Sequence, residues 1–289
     1  MGIVSPVGSK IETAWSNIKE GRSGIREIDV FDASGFATRI AGQVADFDVA
    51  TYLAPKDARK MDRFMHYGIG ACVDALEDSG LAIDDSNGHR VGVAMGAGIG
   101  GLETIEDNHN KFLNGGPRKV SPFFIPGSII NMISGNVSIM RGITGPNLAI
   151  VTACTTATHC IGIAGRTIAY GDADVMLAGG AEYATTPLAI GGFCAARAMS
   201  TRNEDPAGAS RPFDSERDGF VLSNGAGCLV LEELEHARAR GANIYAELIG
   251  FGMSGDAYHI TAPPADGEGA RKCMAAALKD AAIDPGEVD

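Results

Sequence analysis

The chain has 289 residues, 45% of them hydrophobic, and a formal net charge of −12 at pH 7. This length supplies enough apolar surface for one large core or two smaller ones. The acidic balance argues against a nucleic-acid-binding surface. No segment approaches the ~20 apolar residues of a membrane span, and the first residues lack a signal-peptide pattern. We expect neither nucleic acid nor membrane as a partner.

The hydrophobic pattern predicts helices and strands in alternation along the chain. Predicted helices cover residues 11–20, 55–78, 103–113, 129–141, 233–240 and 269–282, and another begins after Cys154 and stops near Gly171. Predicted strands cover residues 90–95, 148–153, 174–178, 227–231 and 245–252. The stretch from 179 to 217 is predicted to be rich in loops. This alternation indicates an α/β fold with a largely parallel or mixed sheet.

Four basic residues recur with helical spacing at the start of the predicted helix 55–78. They are Lys56, Arg59, Lys60 and Arg63. Positive charge in the first turns of a helix opposes the helix dipole, so this placement favours a surface that binds an acidic partner. The alternative is a solvated helix face without a partner.

A glycine-rich turn, Gly96 to Gly101, follows the predicted strand 90–95 and fits the pattern G-x-G-x-x-G. Dinucleotide-binding folds share that pattern. Here no second strand ends in an acidic residue ~20 positions on, and Glu103 and Glu106 would repel a pyrophosphate. The glycines are better explained by a close approach of the backbone to another group.

Cys154 stands at the junction of the predicted strand 148–153 and the helix that follows it. At a helix N-terminus, free backbone N–H groups and the positive end of the dipole favour a thiolate. This setting is typical of a nucleophile; the alternative is a small core residue. His159 lies nearly a turn and a half along the same helix. Its ring is therefore expected to point away from Cys154 and to pack within the fold.

Two charged segments, residues 210–214 and 217–220, contain arginine and aspartate close together. We interpret them as a network that fixes loops, in which the opposite charges satisfy each other. The six cysteines show no C-x-x-C pairing, which indicates reduced thiols in a cytoplasmic protein. His159 and Cys160 adjoin Cys154, but adjacent ligands on one helix give poor zinc geometry, so no metal site is expected.

Several short motifs occur in order along the whole chain. They are Ser5-Pro6-Val7-Gly8, Gly98-Ile99-Gly100-Gly101, residues 115–124, Thr152-Ala153-Cys154-Thr155, Ala178-Gly179-Gly180-Ala181-Glu182, Gly191-Gly192-Phe193, residues 210–214 and 217–220, and Asp256-Ala257-Tyr258-His259. Through these motifs the chain resembles the elongating β-ketoacyl-acyl-carrier-protein synthases of the synthase II type. A chance match to any one motif would mean little, whereas the ordered set is specific.

The resemblance implies a thiolase-like, layered α-β-α-β-α architecture. It implies an N-terminal half, residues 1–243, that carries the nucleophile, and the beginning of a C-terminal half, residues 244–289. The implied activity is an acyltransferase step of fatty acid biosynthesis, in which an acyl thioester on Cys154 condenses with malonyl-acyl carrier protein. The implied partners are acyl carrier protein and a second copy of the chain. No cofactor is implied, because substrates arrive on the carrier protein's phosphopantetheine.

The resemblance also assigns roles to individual residues. Ile99 would form the floor of the acyl pocket, Phe193 would lie near the substrate and Phe124 would reach across a dimer interface. Thr261 would lie near the pantetheine entrance. The positions that match the carrier-protein docking surface are Lys56, Arg59, Lys60, Arg118, Lys119 and Arg197.

The ends of the sequence differ from the family pattern. Only four residues precede Ser5, where the family has a strand, so we expect that strand to be missing. The family's later segments with two histidines, a lysine and an oxyanion-hole glycine turn have no counterpart here. We therefore expect residues 1–289 to be inactive alone. Two alternatives remain open: a polyketide ketosynthase, and a catalytically incomplete fragment or scaffold.

Overall fold

The structure is a computed structural model that describes residues 1–289. The α-helices are Ile11–Lys19 (α1), Pro55–Ala58 (α2), Arg63–Ser79 (α3), Leu102–Gly115 (α4), Phe124–Ser128 (α5), Met132–Arg141 (α6), Thr156–Ala169 (α7), Pro187–Ala195 (α8), Pro206–Ala209 (α9), Leu234–Ala239 (α10) and Glu268–Ala281 (α11). The strands are Gly2–Val4 (β1), Ile25–Glu27 (β2), Ile40–Gly42 (β3), Val91–Gly96 (β4), Asn147–Leu148 (β5), Val175–Glu182 (β6) and Gly225–Glu232 (β7). The chain divides into two compact units, Met1–His236 and Ala237–Asp289.

Five strands of the first unit form one mixed sheet in the order β1-β7-β6-β4-β5. β4 pairs in parallel with β5 and β6, whereas β7 pairs antiparallel with β6 and β1. Parallel neighbours need long crossover connections, which the intervening helices supply. β2 and β3 form a separate antiparallel pair. The predicted mixed sheet with alternating helices is confirmed.

Helices cover both faces of this sheet because successive side chains of a strand point to opposite sides. Val93 and Met95 of β4 belong to the main core, which includes Phe64 of α3. Ala94, between them, belongs to a second core together with Cys160 of α7. All five residues are fully buried. The first unit thus has a helix–sheet–helix layering.

Small residues in β6 allow its neighbours to approach closely. A β-carbon added to Gly180 would lie 3.1 Å from the β-carbon of Ala157 in α7. A β-carbon added to Gly179 would overlap the carbonyl group of Gly227 in β7. As a result, α7 packs directly on the backbone of the sheet.

The predicted helix 55–78 is wrong as a single helix. α2 ends at Ala58, and α3 begins at Arg63 because the Asp62 carboxylate accepts the N–H of Phe64 at 3.3 Å and so caps a new helix. The predicted helix 129–141 begins only at Met132, and the separate short helix α5 precedes it.

The predicted strand 148–153 is largely wrong. Only Asn147 and Leu148 pair with β4, and residues 149–152 have no regular structure. This segment lies at the edge of the sheet, where a strand has a neighbour on one side only, and Val151 is 53% exposed. The stretch predicted to be rich in loops contains two helices, α8 and α9.

Two further expectations are wrong. Residues Gly2–Val4 do form a strand, β1, because they pair with β7 at the other edge of the sheet. In the second unit the predicted strand 245–252 does not form, since no strand of that unit is available to share a hydrogen-bond ladder. Instead, a β-carbon on Gly250 would meet the backbone of Ala277 in α11, which shows how closely this segment packs on that helix.

Candidate active site

Cys154 lies in a single 3-10 turn, Ala153–Thr155, directly before α7. Its side chain is exposed. Ala153 has a φ of 51°, in the left-handed region that residues with a β-carbon seldom adopt. Such strain persists only where surrounding contacts enforce it, and it is common at functional sites. The helix predicted after Cys154 is confirmed, whereas the strand predicted directly before it is not.

Hydrogen bonds from Thr152 hold the Cys154 turn in this conformation. The Thr152 carbonyl accepts the N–H of Thr155 at 3.2 Å and its hydroxyl at 2.7 Å. The Thr152 N–H donates to the Thr156 hydroxyl at 2.9 Å. His159 Nδ1 shares a 2.7 Å hydrogen bond with the Thr152 hydroxyl. His159 therefore supports the turn, a contact that helical spacing alone could not indicate.

The neighbouring Cys160 has the opposite environment. It is fully buried between the sheet and α7, and burial raises the pKa of its thiol above the ordinary value. Of these two thiols, only Cys154 is open to a reagent. All six cysteines are free, and no three His, Cys, Asp or Glu side chains come together as a metal site. None of the helices is long and apolar enough to cross a membrane.

The glycine-rich turn after β4 wraps around the carboxylate of Glu182, the last residue of β6. Glu182 accepts the N–H groups of Gly98 at 2.7 Å, Ile99 at 2.8 Å and Gly100 at 3.0 Å. Burial raises the pKa of the Glu182 carboxyl, and these three bonds oppose that rise. Consecutive N–H groups of this kind bind an anion in nucleotide-binding loops, and here they bind the Glu182 carboxylate.

This turn lies beside the Cys154 turn. A β-carbon added to Gly98 would lie 3.5 Å from the Ala153 carbonyl oxygen. On its other side, the Gly101 N–H donates to the Ser128 carbonyl of α5 at 3.1 Å. The turn therefore connects the surroundings of Cys154 with the helix that begins at Phe124. Ile99, at 40% exposure, projects from this connection.

Phe193 lies in α8 and is half-buried. Its ring meets that of Phe220 edge-on, with centroids 5.2 Å apart. The first turn of α8 is fixed by Glu106 of α4, which accepts the Thr186 hydroxyl at 2.6 Å and the Leu188 N–H at 3.1 Å. The helix after the glycine-rich turn thus positions the helix that carries Phe193.

Thr261 belongs to the second unit and is exposed. Its backbone N–H donates to His259 Nδ1 at 3.2 Å. The assigned role near a pantetheine entrance stays a prediction for this residue.

The basic surface differs from the predicted single helix face because α2 and α3 are separate. Lys56 lies in α2, and Arg59 and Lys60 lie in the connection to α3. Lys60 pairs with Asp57 at 2.7 Å. Arg63, the first residue of α3, is engaged by other partners. It pairs with Glu103 at 3.2 Å and donates to the Tyr183 hydroxyl at 2.8 Å.

A second segment, residues 117–128, brings two further basic residues to the same region. Arg118 and Lys119 lie in a short turn just before α5, and both are exposed. The Lys60 ammonium lies 5.5 Å from the centre of the Phe123 ring, and the Asp62 N–H donates to the Gly127 carbonyl at 3.0 Å. Residues 56–62 and 118–128 therefore form one surface.

Arg197 follows α8. It is exposed and has a φ of 53°.

The predicted network of arginine and aspartate in residues 210–220 is confirmed. Arg211 pairs with Asp214 at 2.9 Å, and Arg217 donates to the Asp214 carbonyl at 2.7 Å. Asp218 accepts the N–H of Thr201 at 2.9 Å. These contacts fix the loop.

Comparison with known families identifies the chain. Residues 1–237 match the β-ketoacyl synthase N-terminal domain, and residues 245–289 match the β-ketoacyl synthase C-terminal domain. The chain belongs to the β-ketoacyl synthase family.

Relatives and solved structures agree with this assignment. A 3-oxoacyl-acyl-carrier-protein synthase 2 of Vibrio harveyi is 61% identical over 98% of this chain and 68% of its own length. One of Coxiella burnetii is 57% identical over 100% of this chain and 70% of its own length. A type II PKS acyl-carrier protein in complex with its ketosynthase bound to the hexaketide (AntDE:AntF) matches with a TM-score of 0.90 and 34% identity, over 99% of this chain and 69% of that one.

These matches confirm the predicted family, its layered α/β fold and its acyltransferase class. The individual site residues and the division at residue 243 stay predictions. Glu182 lies in the motif Ala178–Glu182, to which the sequence alone assigned no role. The signal available was an acidic residue directly after a run of small residues in a buried strand.

Proposed function

We propose that this chain is an elongating 3-oxoacyl-acyl-carrier-protein synthase of fatty acid biosynthesis in which Cys154 carries the acyl chain. The observation that carries the proposal is the exposed Cys154 in a strained turn directly before α7. The thiolate of Cys154 attacks the carbonyl carbon of an acyl thioester. The pantetheine thiol leaves, and the acyl group stays on Sγ as a new thioester.

The second half of the reaction releases Cys154. Decarboxylation of malonyl carrier protein gives carbon dioxide and a carbanion, which attacks the acyl thioester. A carbon–carbon bond forms, the Cys154 thiolate leaves, and the product is longer by two carbons. The Cys154 N–H is the candidate in this chain for one donor to the developing oxyanion. No metal or dissolved cofactor takes part in either step.

We assign the acyl pocket to the apolar residues around the glycine-rich turn. Ile99 supplies its floor and Phe193 lies near the substrate. The packing of the turn against Ala153 on one side and α5 on the other supports this assignment for Ile99.

We assign carrier-protein docking to the exposed basic residues around α2 and α5. The residues there are Lys56, Arg59, Lys60, Arg118 and Lys119, whereas the docking role of Arg197, which follows α8, rests on the family resemblance alone. A groove of about 400 Å³, lined by Lys60 and by apolar side chains that include Phe123 and Met140, adjoins them. An acidic protein with an apolar contact face suits such a surface, because opposite charges steer association.

We further propose that two copies form a homodimer through the edge of the sheet and α5–α6. Ile125 and Ile129 are large, apolar and about half or more exposed there, and neither lines the docking groove. Exposed apolar clusters of this kind mark protein contacts, and pairing would also cover the short edge strand β5. Phe124 lies in the same region. The free cysteines suit a cytoplasmic location.

A transfer experiment tests the function. Octanoyl carrier protein is mixed with the chain, and intact and peptide mass spectrometry locate the added octanoyl group. We expect one group, on Cys154, and none in Cys154→Ala. A wild-type protein that gains no acyl group, or gains it on another cysteine, contradicts the proposal.

A polyketide ketosynthase is the second candidate, favoured by the structural similarity to the AntDE:AntF complex. The same experiment separates the two candidates when a β-ketoacyl donor replaces octanoyl. A fatty-acid synthase takes the saturated chain, whereas a polyketide enzyme takes the β-ketoacyl chain.

A further inference from the structure

The Glu182 carboxylate holds the glycine-rich turn that lies beside the Cys154 turn. Glu182 ends the central strand β6 and accepts three consecutive N–H groups, from Gly98, Ile99 and Gly100, at 2.7 to 3.0 Å. Hydrogen bonds to an ionised acceptor are roughly twice as strong as neutral ones. The three bonds fix the turn to the central strand of the five-stranded sheet.

Because the turn lies between the Cys154 turn and Ile130, its attachment to Glu182 affects the geometry around Cys154. Gly98 lies against Ala153, the residue that precedes Cys154, and Gly100 packs on Ile130. Ile99 stands between these contacts and is partly exposed. A shift of the turn would therefore move Ile99 relative to the sulfur atom of Cys154.

The chemistry of the anchor requires a carboxylate. Three converging donors need an acceptor with two oxygens, whereas a carboxamide would turn an NH₂ group toward at least one N–H. Aspartate is one methylene shorter and cannot reach all three donors from the same backbone position. No basic side chain takes part in the anchor, so its partners are backbone donors alone.

We propose that Glu182 is a positioning residue that fixes the turn Gly98–Gly100 and thereby sets which acyl chain lengths Cys154 accepts. This inference rests on the proposed function, because it assigns a role in acyl transfer. Glu182 acts through Ile99 and does not touch the reacting atoms.

The test compares Glu182→Gln and Glu182→Asp with Asp174→Asn. Asp174 directly precedes the same strand and bonds Arg90 at 2.6 and 3.0 Å, so it is a matched carboxylate at the opposite end of β6. Acylation of Cys154 is followed with butanoyl-, octanoyl- and hexadecanoyl-pantetheine, giving kcat and KM for each. Hydrogen exchange of residues 98–100 is measured on the same samples.

We expect both Glu182 variants to exchange faster at residues 98–100 and to change the hexadecanoyl-to-butanoyl ratio of kcat/KM by about tenfold or more, mainly through kcat. Asp174→Asn should keep the wild-type ratio even if its thermal midpoint falls.

Two results overturn this inference alone: a wild-type ratio in Glu182→Gln and Glu182→Asp, or failure of both to fold, which would make Glu182 a determinant of the fold. A wild-type protein that accepts no thioester instead overturns the proposed function, and this inference with it.

Discussion

β4 and the segment 147–152 are neighbours, and each contains an apolar run from which a strand was predicted, at 90–95 and at 148–153. β4 has a strand on each side, pairs over its whole length and is buried at every residue. The segment 147–152 has a neighbour on one side only, pairs at two residues and is exposed at Val151. Of these two neighbouring apolar runs, the one with a strand on each side is buried and the one with a single neighbour is exposed, and the reactive cysteine follows the exposed run.

The largest expected effect is a difference in the rate of modification between the thiols of Cys154 and Cys160. Cys154 follows the exposed segment, whereas Cys160 is buried beneath β4. Iodoacetamide should modify Cys154 about a thousandfold faster than Cys160, since a local opening that costs about 4 kcal/mol must precede reaction of the buried thiol. Peptide mass spectrometry over time gives both rates. Faster modification of Cys160 or Cys194 would contradict the assignment of Cys154.

Truncating one side chain in β4 and one in the segment 147–152 tests whether the buried run contributes more to the free energy of unfolding than the exposed run. Met95→Ala in β4 should lower the free energy of unfolding by about 2–5 kcal/mol, because it leaves a cavity in the main core. Val151→Ala should change it by no more than about 0.5 kcal/mol. Urea unfolding at one protein concentration measures both. A loss at Val151 as large as that at Met95 would show that the edge is covered in solution.

A third prediction extends the contrast between buried and exposed groups to pH. His66 of α3 bonds the Ala58 carbonyl at 2.9 Å, and burial lowers its pKa below the ordinary 6.5, with Asp62 opposing and Arg63 adding to that shift. Below pH 6.5 the unfolded chain binds the proton first, so stability should fall with pH until the folded-state pKa is reached. Each unit of pKa difference contributes about 1.4 kcal/mol.

His66→Gln is the matched variant for that prediction, since its amide keeps a donor for the Ala58 carbonyl but cannot titrate. Urea midpoints of both proteins are measured between pH 7.5 and 5. The wild type should lose more stability over this range than the variant. Parallel curves would show that His66 does not contribute.

The smallest expected effect lies on the exposed basic surface. Lys60→Glu with Arg118→Glu should weaken carrier-protein binding by about 1 kcal/mol at low salt, and the loss should shrink at high salt. Calorimetric titration at two salt concentrations measures it. The control is the double variant Lys19→Glu with Lys279→Glu, which makes the same change of net charge outside the proposed docking residues. It should leave carrier-protein binding unaltered. Equal affinity of wild type and Lys60/Arg118 variant at low salt would remove this surface from the docking site.

Local patterns in the sequence predicted much of the fold. α1, α4 and α11 match their predicted ranges within two residues, because their polar and apolar faces alternate with helical spacing. The helix start after Cys154 followed from the predicted change of secondary structure at that residue. The ordered set of motifs along the chain, with the one around Cys154 among them, placed the chain in its family.

Other features depended on contacts between distant residues. The break between α2 and α3 needs Asp62, whose carboxylate also accepts the Thr104 N–H at 2.8 Å. The ion pair and hydrogen bond of Arg63 need Glu103 and Tyr183. The three bonds to Glu182 join residues more than eighty positions apart in the chain. No local pattern contains such pairings, so the sequence could not reveal them.

The close packing at Gly179 and Gly180 has a consequence for evolution. A methyl group at Gly179 would overlap the Gly227 carbonyl, and one at Gly180 would press on Ala157. Substitutions there would have to occur together with changes in a strand or helix that is remote in sequence. Such sites leave few single-step paths between functional sequences, so they should diverge far more slowly than the exposed helix faces around them.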